Sequence, residues 1–271
     1  MTFFKVPRTW LPASIIGLWC FYAVFGTVLS LEPNYIELDR ILVSPGEGTA
    51  WLGFDDLGRP VWDRLLAGAG TSFFVAFWVV GLSVIIGTFI GVVSAYLGGV
   101  WDTIIVRIID IFLAFPGILL AIALAGILGP GVSNIVIALS VVGWVGYARL
   151  SRAQVLSLKN RDHVQAAVAL GSSSRYIMMK HLVPLIAAPL IVEATFGIAA
   201  VVIGEAGLSY LGLGVQPPTA SWGTMIRDGA DYLLVAPHMV LAPSIALLLV
   251  ILAINLLGDS LRDYLDVRSD G

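Results

Sequence analysis

Residues 162–184 read DHVQAAVALGSSSRYIMMKHLVP, a stretch that predicts two short helices joined by a break. Asp162 is a suitable N-cap, and Gln165, three residues later, completes a capping box. The residues that share one helical face by their spacing are Val164, Ala167, Val168 and Gly171. Gly171 also suits the left-handed position just past a helix end. The first helix is therefore predicted to start at Asp162 and to stop at Gly171.

The second short helix is predicted over 175–182. Three serines, 172–174, offer N-caps for it, and Pro184 predicts its end. A short helix with a small apolar face and basic flanks allows two interpretations. It rests on lipid headgroups as an interfacial helix does, or it is a docking knob for a partner protein. The residues alone leave both open.

The composition outside this stretch indicates a membrane protein. Of 271 residues, 58% are hydrophobic and 12% are charged, and the mean hydropathy is +0.94. A soluble domain carries about 25% charged residues, so lipid must surround most of this chain. The net charge of −3 excludes a nucleic-acid binder that relies on a strongly basic field. The single cysteine, Cys20, forms no internal disulfide.

Apolar runs long enough to cross a bilayer predict an all-α polytopic protein with six transmembrane helices. The predicted spans are 12–31, 73–97, 108–128, 132–149, 185–207 and 238–258. The first follows Lys5 and Arg8, but it is longer than a signal-peptide core and has no clear cleavage site, so we expect an uncleaved span. We divide the chain into an N-terminal span and outer loop, 1–72, and a core, 73–271, with loops 150–184 and 208–237.

The basic residues predict the orientation. With both termini inside, 11 of the 15 Lys and Arg residues fall in inside segments, as the positive-inside rule requires. Residues 150–184 then form the longest inside segment. The sequence therefore predicts an N-in, C-in topology.

Small residues and prolines predict how the spans pack and bend. The residues that recur every four positions in the second span are Ser83, Gly87, Gly91 and Ala95. They predict a stripe where a neighbouring backbone approaches closely. The prolines expected to kink spans three, five and six are Pro116, Pro189 and Pro243.

Three polar residues at membrane depth are candidate pore or gate residues. Glu193 lies within the fifth span, where a charge is costly unless it faces a pore, is paired or is protonated. Glu205 lies near the outer mouth, and we expect a structural or gating role. Asn255 is expected to hydrogen-bond across helices. No Ser/His/Asp set or paired carboxylates indicate catalysis, and the three histidines lack metal-ligand spacing.

The inside segment resembles the EAA loop of ABC importer permeases. The match is Gln165-Ala166-Ala167, three residues, Gly171, nine residues, then an apolar run that ends at Pro184. Gln165 stands where the family has Glu, which keeps the capping role but loses a charge. The loop spacing alone is moderately specific.

Longer motifs are similar to the dipeptide/oligopeptide/nickel branch of these permeases, and in particular to its second-permease subunit. They are GEAGLSYLGLGVQPP at 204–218 followed by SWG at 221–223, NLLGD at 255–259 with LRD at 261–263, and LGFDDLGR at 52–59. Together the motifs cover roughly residues 50–268. The resemblance implies the type I importer permease fold with a cytoplasmic coupling helix.

In such a transporter the chain forms half of a pore. The resemblance implies a homologous second permease as a heterodimer partner, two cytoplasmic ATPase subunits that hold ATP and Mg, and an extracytoplasmic substrate-binding protein. The chain itself is expected to bind no cofactor, because none of its three lysines follows a glycine as Walker A requires. The residues expected to couple to an ATPase are Asp162, Val164, Gln165, Ala166, Ala167, Val168, Leu170 and Gly171. Those expected to contact the receptor are Trp222, Arg227 and Asp231.

The cargo is the least determined point. We expect short peptides, with nickel or another metal chelate as the alternative, because selectivity resides mostly in the receptor. A different class, a proton-coupled secondary transporter that uses Glu193 and Glu205, lacks support from an evident inverted repeat.

Overall fold

The computed structural model describes residues 9–26, 32–47 and 51–269, with side chains up to residue 265, and these residues form helices without a strand. The helices are α1 (Trp10–Phe25), α2 (Val61–Leu97), α3 (Gly99–Leu113), α4 (Gly117–Leu128), α5 (Val132–Leu158), α6 (Asp162–Ala169), α7 (Ser174–Ile177), α8 (Val183–Tyr210), α9 (Trp222–Ala230) and α10 (His238–Ser269). A π-helical turn, Met178–Leu182, joins α7 to α8.

Long apolar helices confirm the all-α membrane class. Four helical segments are long and apolar enough to cross a membrane: α2, α5, the continuous rod 174–210, and 238–265 of α10. The pair α3–α4 is a fifth if it counts as one bent span. Helix α1 is apolar but has 16 residues, and the predicted end of the first span at 27–31 lies outside the described residues, as do Lys5 and Arg8. The count of six spans therefore stays a prediction.

Several helices extend beyond their predicted apolar runs. Helix α2 begins at Val61, twelve residues before the predicted start, and α5 continues to Leu158. The added first turns of α2 contain Arg64, whose side chain is buried beside Asp55 with Nε 3.3 Å from the carboxylate. Because a tertiary ion pair neutralises Arg64, hydropathy alone places the helix start too late.

The bend at Pro116 is confirmed. Helix α3 ends at Leu113, Pro116 is the N-cap of α4, and the two helix axes differ by 87°. Pro116 has no N–H to continue the α3 hydrogen-bond ladder, so the chain turns there. Pro189 and Pro243 lie inside α8 and α10.

The small-residue stripe on α2 contacts α5, as predicted. A Cβ on Gly87 would overlap the carbonyl oxygen of Trp144, and a Cβ on Gly91 would overlap that of Ala148. The two backbones therefore touch over two turns. This α2–α5 seam runs through the middle of the bundle and separates two apolar clusters.

One cluster lies at the end of the bundle that carries α6, and the other at the opposite end. The inner cluster joins α2, α5, α6, α7 and α8 and includes Val92, Val155, Val164, Ile177 and Ile186. The outer cluster joins α1, α2, α8, α9 and α10 and includes Trp19, Ala69, Val202, Trp222 and Ile254. We use "inner" and "outer" below for these two ends.

Candidate functional site

Helix α6 starts differently from the prediction. Its N-cap is Arg161 (φ −70°, ψ 150°), without a side-chain cap, and Asp162 is the first helical residue. The predicted capping box is therefore wrong. Gln165 instead turns back and donates its Nε2 hydrogen to the carbonyl of Lys159 at 3.0 Å. Asp162 still stabilises the helix, because its charge lies beside the positive end of the helix dipole.

Helix α6 has one buried and one exposed face. Val164 and Ala167 are buried in the inner cluster, whereas Val168 and Gly171 are exposed, so the predicted four-residue face is wrong in part. Leu170, just past the helix, exposes 86% of its surface. We call the exposed residues the α6 surface: Gln165, Ala166, Val168 and Leu170. Leu170 thus gives the α6 surface a protruding apolar side chain.

Gly171 ends α6 as predicted. Its φ is +79°, the left-handed region that glycine adopts without strain. The Gly171 N–H donates to the carbonyl of Val168 at 2.9 Å, and the Ser172 N–H donates to that of Ala167 at 3.0 Å. This pair of bonds is a Schellman motif, which closes the helix and sets the direction of the chain beyond it.

The link from α6 to α8 is short and mostly helical. Ser173 caps α7 by accepting from the N–H of Tyr176 at 3.4 Å, and the π turn then leads directly into α8. Pro184 lies in the first turn of α8, so the predicted helix end there is wrong. At the π turn, Val183 donates its N–H to the carbonyl of Met178, and the helical rod continues.

Basic side chains surround the α6 surface. Arg161, Arg175 and Lys180 are exposed there, and Asp162 is the one acidic residue between 159 and 184. Nearby, Lys159 donates from Nζ to the carbonyl of Ala95 at 2.9 Å. The surface therefore combines an apolar centre with a positively charged border.

The inner end also holds a grouping that sequence spacing does not show. The rings of His163 and His181 stack with centroids 6.4 Å apart, and Tyr176 lies 5.7 Å from His181. Tyr176 and His181 are near neighbours in the sequence, and the turn from α6 into α8 brings His163 to them. Within the described part of the chain, no three His, Cys, Asp or Glu residues could hold a metal ion.

A second ionic contact fixes the inner ends of α3 and α5. Arg152 donates two hydrogen bonds to the Asp102 carboxylate, from Nε at 2.7 Å and from Nη2 at 2.8 Å. Ser94 of α2 donates to the same carboxylate at 2.6 Å. A bidentate pair of this kind fixes geometry as well as charge, so α2, α3 and α5 form a fixed support beside α6.

Glu205 is fully buried at the outer end, where it joins separate elements. Its carboxyl group accepts hydrogen bonds from Ser72 of α2 and Ser209 of α8, both at 2.8 Å. The Ser209 oxygen in turn accepts the N–H of Val215 at 3.2 Å. Glu205 thus connects α2, α8 and the loop that follows α8, a position that suits the predicted structural or gating role.

The other two candidate pore residues have different surroundings. Asn255 donates to the carbonyl of Ile251 at 3.0 Å, so in this structure it bonds within its own helix and not across helices as predicted. Glu193 is exposed on α8 and makes no hydrogen bond or ion pair within the described ranges. The phenol of Tyr147 meets α8 at Gly197, one helical turn from Glu193.

At the outer end, the prediction that Trp222 contacts the receptor is wrong. Its ring is 2% exposed, packs beside Trp19, and donates its Nε1 hydrogen to the carbonyl of Leu65 at 3.0 Å. Helix α9 begins there and turns back into the outer cluster. Arg227 is half-buried and pairs with Asp228 at 3.0 Å, while Asp231 is exposed. The loop after α9 carries an apolar residue that the sequence does not single out, Leu234, which is 97% exposed.

A buried ionic network holds the outer segment 51–60 against α2. The Asp55 carboxylate accepts from the Nε of Arg59 at 2.7 Å and lies 3.3 Å from the Nε of Arg64. Its other oxygen accepts the N–H groups of Leu57 and Arg59. Burial, reinforced by the negative charge of Asp55, raises the pKa of the neighbouring Asp56 carboxyl. Asp55 and Arg59 of this network belong to the motif LGFDDLGR, whereas their partner Arg64 lies outside the motif.

A bundle of long apolar helices defines a polytopic membrane protein, and one end of this bundle carries an exposed apolar surface with basic flanks. The comparisons with known proteins make the class specific. Residues 83–270 match the family model described as binding-protein-dependent transport system inner membrane component. This match covers more than half of the chain, and the chain belongs to that family.

Close relatives agree with the family. The chain is 40% identical over 238 residues to the glutathione transport system permease protein GsiD of Escherichia coli O6:K15:H31, which covers 88% of this chain and 78% of the relative. The same values hold for GsiD of Shigella boydii serotype 4. The chain is thus a permease component of an ABC importer and a multi-pass protein of the inner membrane. This assignment overturns the proton-coupled alternative.

A solved structure supports the fold. The methionine ABC transporter MetNI, in an inward-facing conformation, aligns with a TM-score of 0.61 at 19% identity, over 76% of this chain and 97% of that chain. At this identity the likeness concerns the fold alone, and it agrees with the predicted type I importer permease fold.

Proposed function

We propose that the chain forms one half of the translocation pore of an ATP-driven importer for short peptides. The relatives named above are glutathione permeases, and glutathione is itself a short peptide. They favour a peptide cargo over the nickel or metal-chelate alternative. The other half of the pore is a homologous second permease, and a substrate-binding protein delivers the cargo from outside.

The proposal includes a topology of six spans with both termini inside. Helix α1, the bent pair α3–α4 and the four long helices would then each cross once. In this orientation α6 lies on the cytoplasmic side, together with Arg149, Arg161, Arg175 and Lys180. The ion-paired segment 51–60 and helix α9 lie outside, where Arg227 and Asp231 are the candidate receptor contacts.

One observation carries the coupling role: α6 exposes an apolar surface while its other face is built into the core of the transmembrane bundle. Val164 and Ala167 pack in the same cluster as Ile177, Leu182 and Ile186 at the start of α8. A helix that only rested on lipid headgroups would turn its apolar face to the bilayer. Here the buried face binds the bundle, and the exposed face remains available to an ATPase.

The proposed mechanism is a coupled two-state switch. ATP and Mg bind to the two ATPase subunits, which close and carry the α6 surface with them. The Schellman turn at Gly171 and the continuous α7–α8 rod pass this movement to α8. The pore then opens outward to accept peptide, and hydrolysis resets it. ATP and the loaded receptor must each favour one state through differential contacts.

The first test is co-purification of the affinity-tagged chain with its second permease and ATPases, followed by an ATPase assay. The variant Leu170→Asp adds a charge at the exposed apolar centre, so it is expected to lose the ATPases without loss of fold. Ser157→Asp, at another exposed position near the end of α5, is the matched control and should retain them. Equal ATPase recovery with Leu170→Asp and wild type would contradict the coupling role, and transport by the chain alone would contradict the importer proposal.

A further inference from the structure

Glu193 is the exposed acidic residue in the middle of the rod that contains α8. It lies about 15 Å along the helix from Val183, within the apolar stretch 185–207. Contact with lipid is strongly unfavourable for a carboxylate at this depth. Within the described residues, no side chain or backbone group of this chain binds it. The partner of a charged Glu193 must therefore be water, another subunit or a ligand.

A second unpaired polar group lies close to Glu193. The hydroxyl of Tyr147 on α5 is buried and has no hydrogen-bond partner among the described residues. The phenol occupies a notch at Gly197, where a Cβ would overlap its oxygen. Gly197 is one helical turn beyond Glu193, so both lie on the same side of α8. Buried polar groups are almost always hydrogen-bonded, so the unpaired Tyr147 hydroxyl, one helical turn from the accessible Glu193 carboxylate, points to a polar partner that this chain does not supply.

The surroundings of Glu205 provide an internal comparison. Glu205 lies on the same helix, is fully buried, and has its carboxyl group bonded to two serines of this chain. It is a structural acid whose hydrogen-bonding capacity is used. Glu193 differs, because its carboxyl group is accessible and accepts no hydrogen bond from the described residues.

We propose that Glu193 and Tyr147 form a binding site in the pore for the N-terminal ammonium group of a peptide. An ammonium group has three hydrogens to donate and no acceptor. The Glu193 carboxylate supplies the opposite charge, and the Tyr147 oxygen accepts a further hydrogen. A phenol and one carboxylate therefore suit a single cationic group of the ligand. A carboxylate group of the ligand would be repelled by Glu193. This inference rests on the proposed function, because it needs a pore on this side of α8.

The test uses a reporter that leaves both groups intact. Ala200 lies seven residues beyond Glu193, about 10 Å away and only about 20° around the helix, and it is exposed. Ile191 is exposed too, but it lies about 160° from Glu193 around the helix. In a Cys20→Ala background, Ala200→Cys is the reporter and Ile191→Cys is the matched control. The complete transporter in lipid nanodiscs is labelled with a water-soluble maleimide, both without nucleotide and with ATP and vanadate.

Two probes that differ in one group then identify the ligand chemistry. Trialanine carries the ammonium group, and N-acetyl-trialanine does not. We expect Ala200→Cys to be labelled and Ile191→Cys to resist labelling. Trialanine at twice its dissociation constant should slow labelling of Ala200→Cys about threefold, whereas the acetylated peptide should not. Glu193→Gln should abolish this protection, and Tyr147→Phe should reduce it.

Several outcomes would overturn the inference. They are resistance of Ala200→Cys to labelling in both nucleotide conditions, equal protection by the two peptides, and protection that survives Glu193→Gln. Each labelling rate is measured on preparations that retain the ATPase subunits and hydrolyse ATP. A failure of the ammonium site is therefore distinguishable from a failure of the importer assignment, in which the complex would not assemble.

Discussion

Replacement of Asp55 by Asn should strongly destabilise the outer end of the protein. Asp55, Arg59 and Arg64 are each less than a tenth exposed, and one carboxylate serves both guanidinium groups. Removing the shared negative charge leaves Arg64 without its ion-pair partner and Arg59 with only the longer contact to Asp56. Breaking a buried pair in this way costs about 3–5 kcal/mol. For a chain of this size, that cost lowers the melting temperature by roughly 6–20 °C.

The neighbouring Asp56 is the matched control. Its side chain is about one quarter exposed and lies 3.5 Å from Arg59. Because its folded-state pKa is raised, its ionisation opposes folding, and its contribution to stability is lost as the pH rises through that pKa. Asp56→Asn removes this charge, so it should leave stability within about 0.5 kcal/mol of wild type or raise it slightly.

The assay is thermal unfolding in detergent, followed by tryptophan fluorescence, for wild type and the two single variants. Trp51 and Trp62 lie beside the network and stack on each other at 6.0 Å, so they report on this end of the molecule. A melting temperature for Asp55→Asn within about 2 °C of wild type would refute the reasoning. Equal decreases in melting temperature for Asp55→Asn and Asp56→Asn would refute it too, because the shared carboxylate would then stabilise the protein no more than its neighbour does.

Three further substitutions test other parts of the structure. Gly91→Ala places a Cβ against the α5 backbone and should cost about 1–3 kcal/mol in thermal unfolding, whereas Gly81→Ala, with open space around it, should be neutral or slightly stabilising. Gly171→Ala should cost about 1–2 kcal/mol because φ is +79° and should weaken ATPase recovery, with Gly171→Asn less affected. Ser72→Ala removes one donor to Glu205 and should cost about 1–3 kcal/mol; an unchanged melting temperature would show that this bond adds nothing.

Local patterns predict the parts of this fold that local forces determine. The apolar runs predict the long helices, the four-residue period predicts the α2–α5 seam, and Gly171 predicts the end of α6. These features depend on a few neighbouring residues and on the surrounding lipid. These features can be predicted without knowing which other segment of the chain packs against them.

Several of the wrong predictions involve distant partners. The start of α2 is missed because Arg64 is neutralised by Asp55, and Trp222 is placed on the surface because α9 turns back into the core. The hydrogen bond to Glu205 comes from Ser72, 133 residues earlier in the chain. Sequence position gives no sign of such a pairing. The stacked histidines beside α6 are missed for the same reason.

The α2–α5 seam determines which parts of the molecule are able to move. Where two backbones touch at Gly87 and Gly91, no side chains lie between them to change rotamer, so the helices have no alternative packing into which to slide. The Arg152–Asp102 pair adds α3 to the same unit. In the proposed transport cycle, the rod 174–210 would turn against a frame of α2, α3 and α5. The notch at Gly197, where the Tyr147 phenol meets α8, lies on the boundary between the frame and the moving rod.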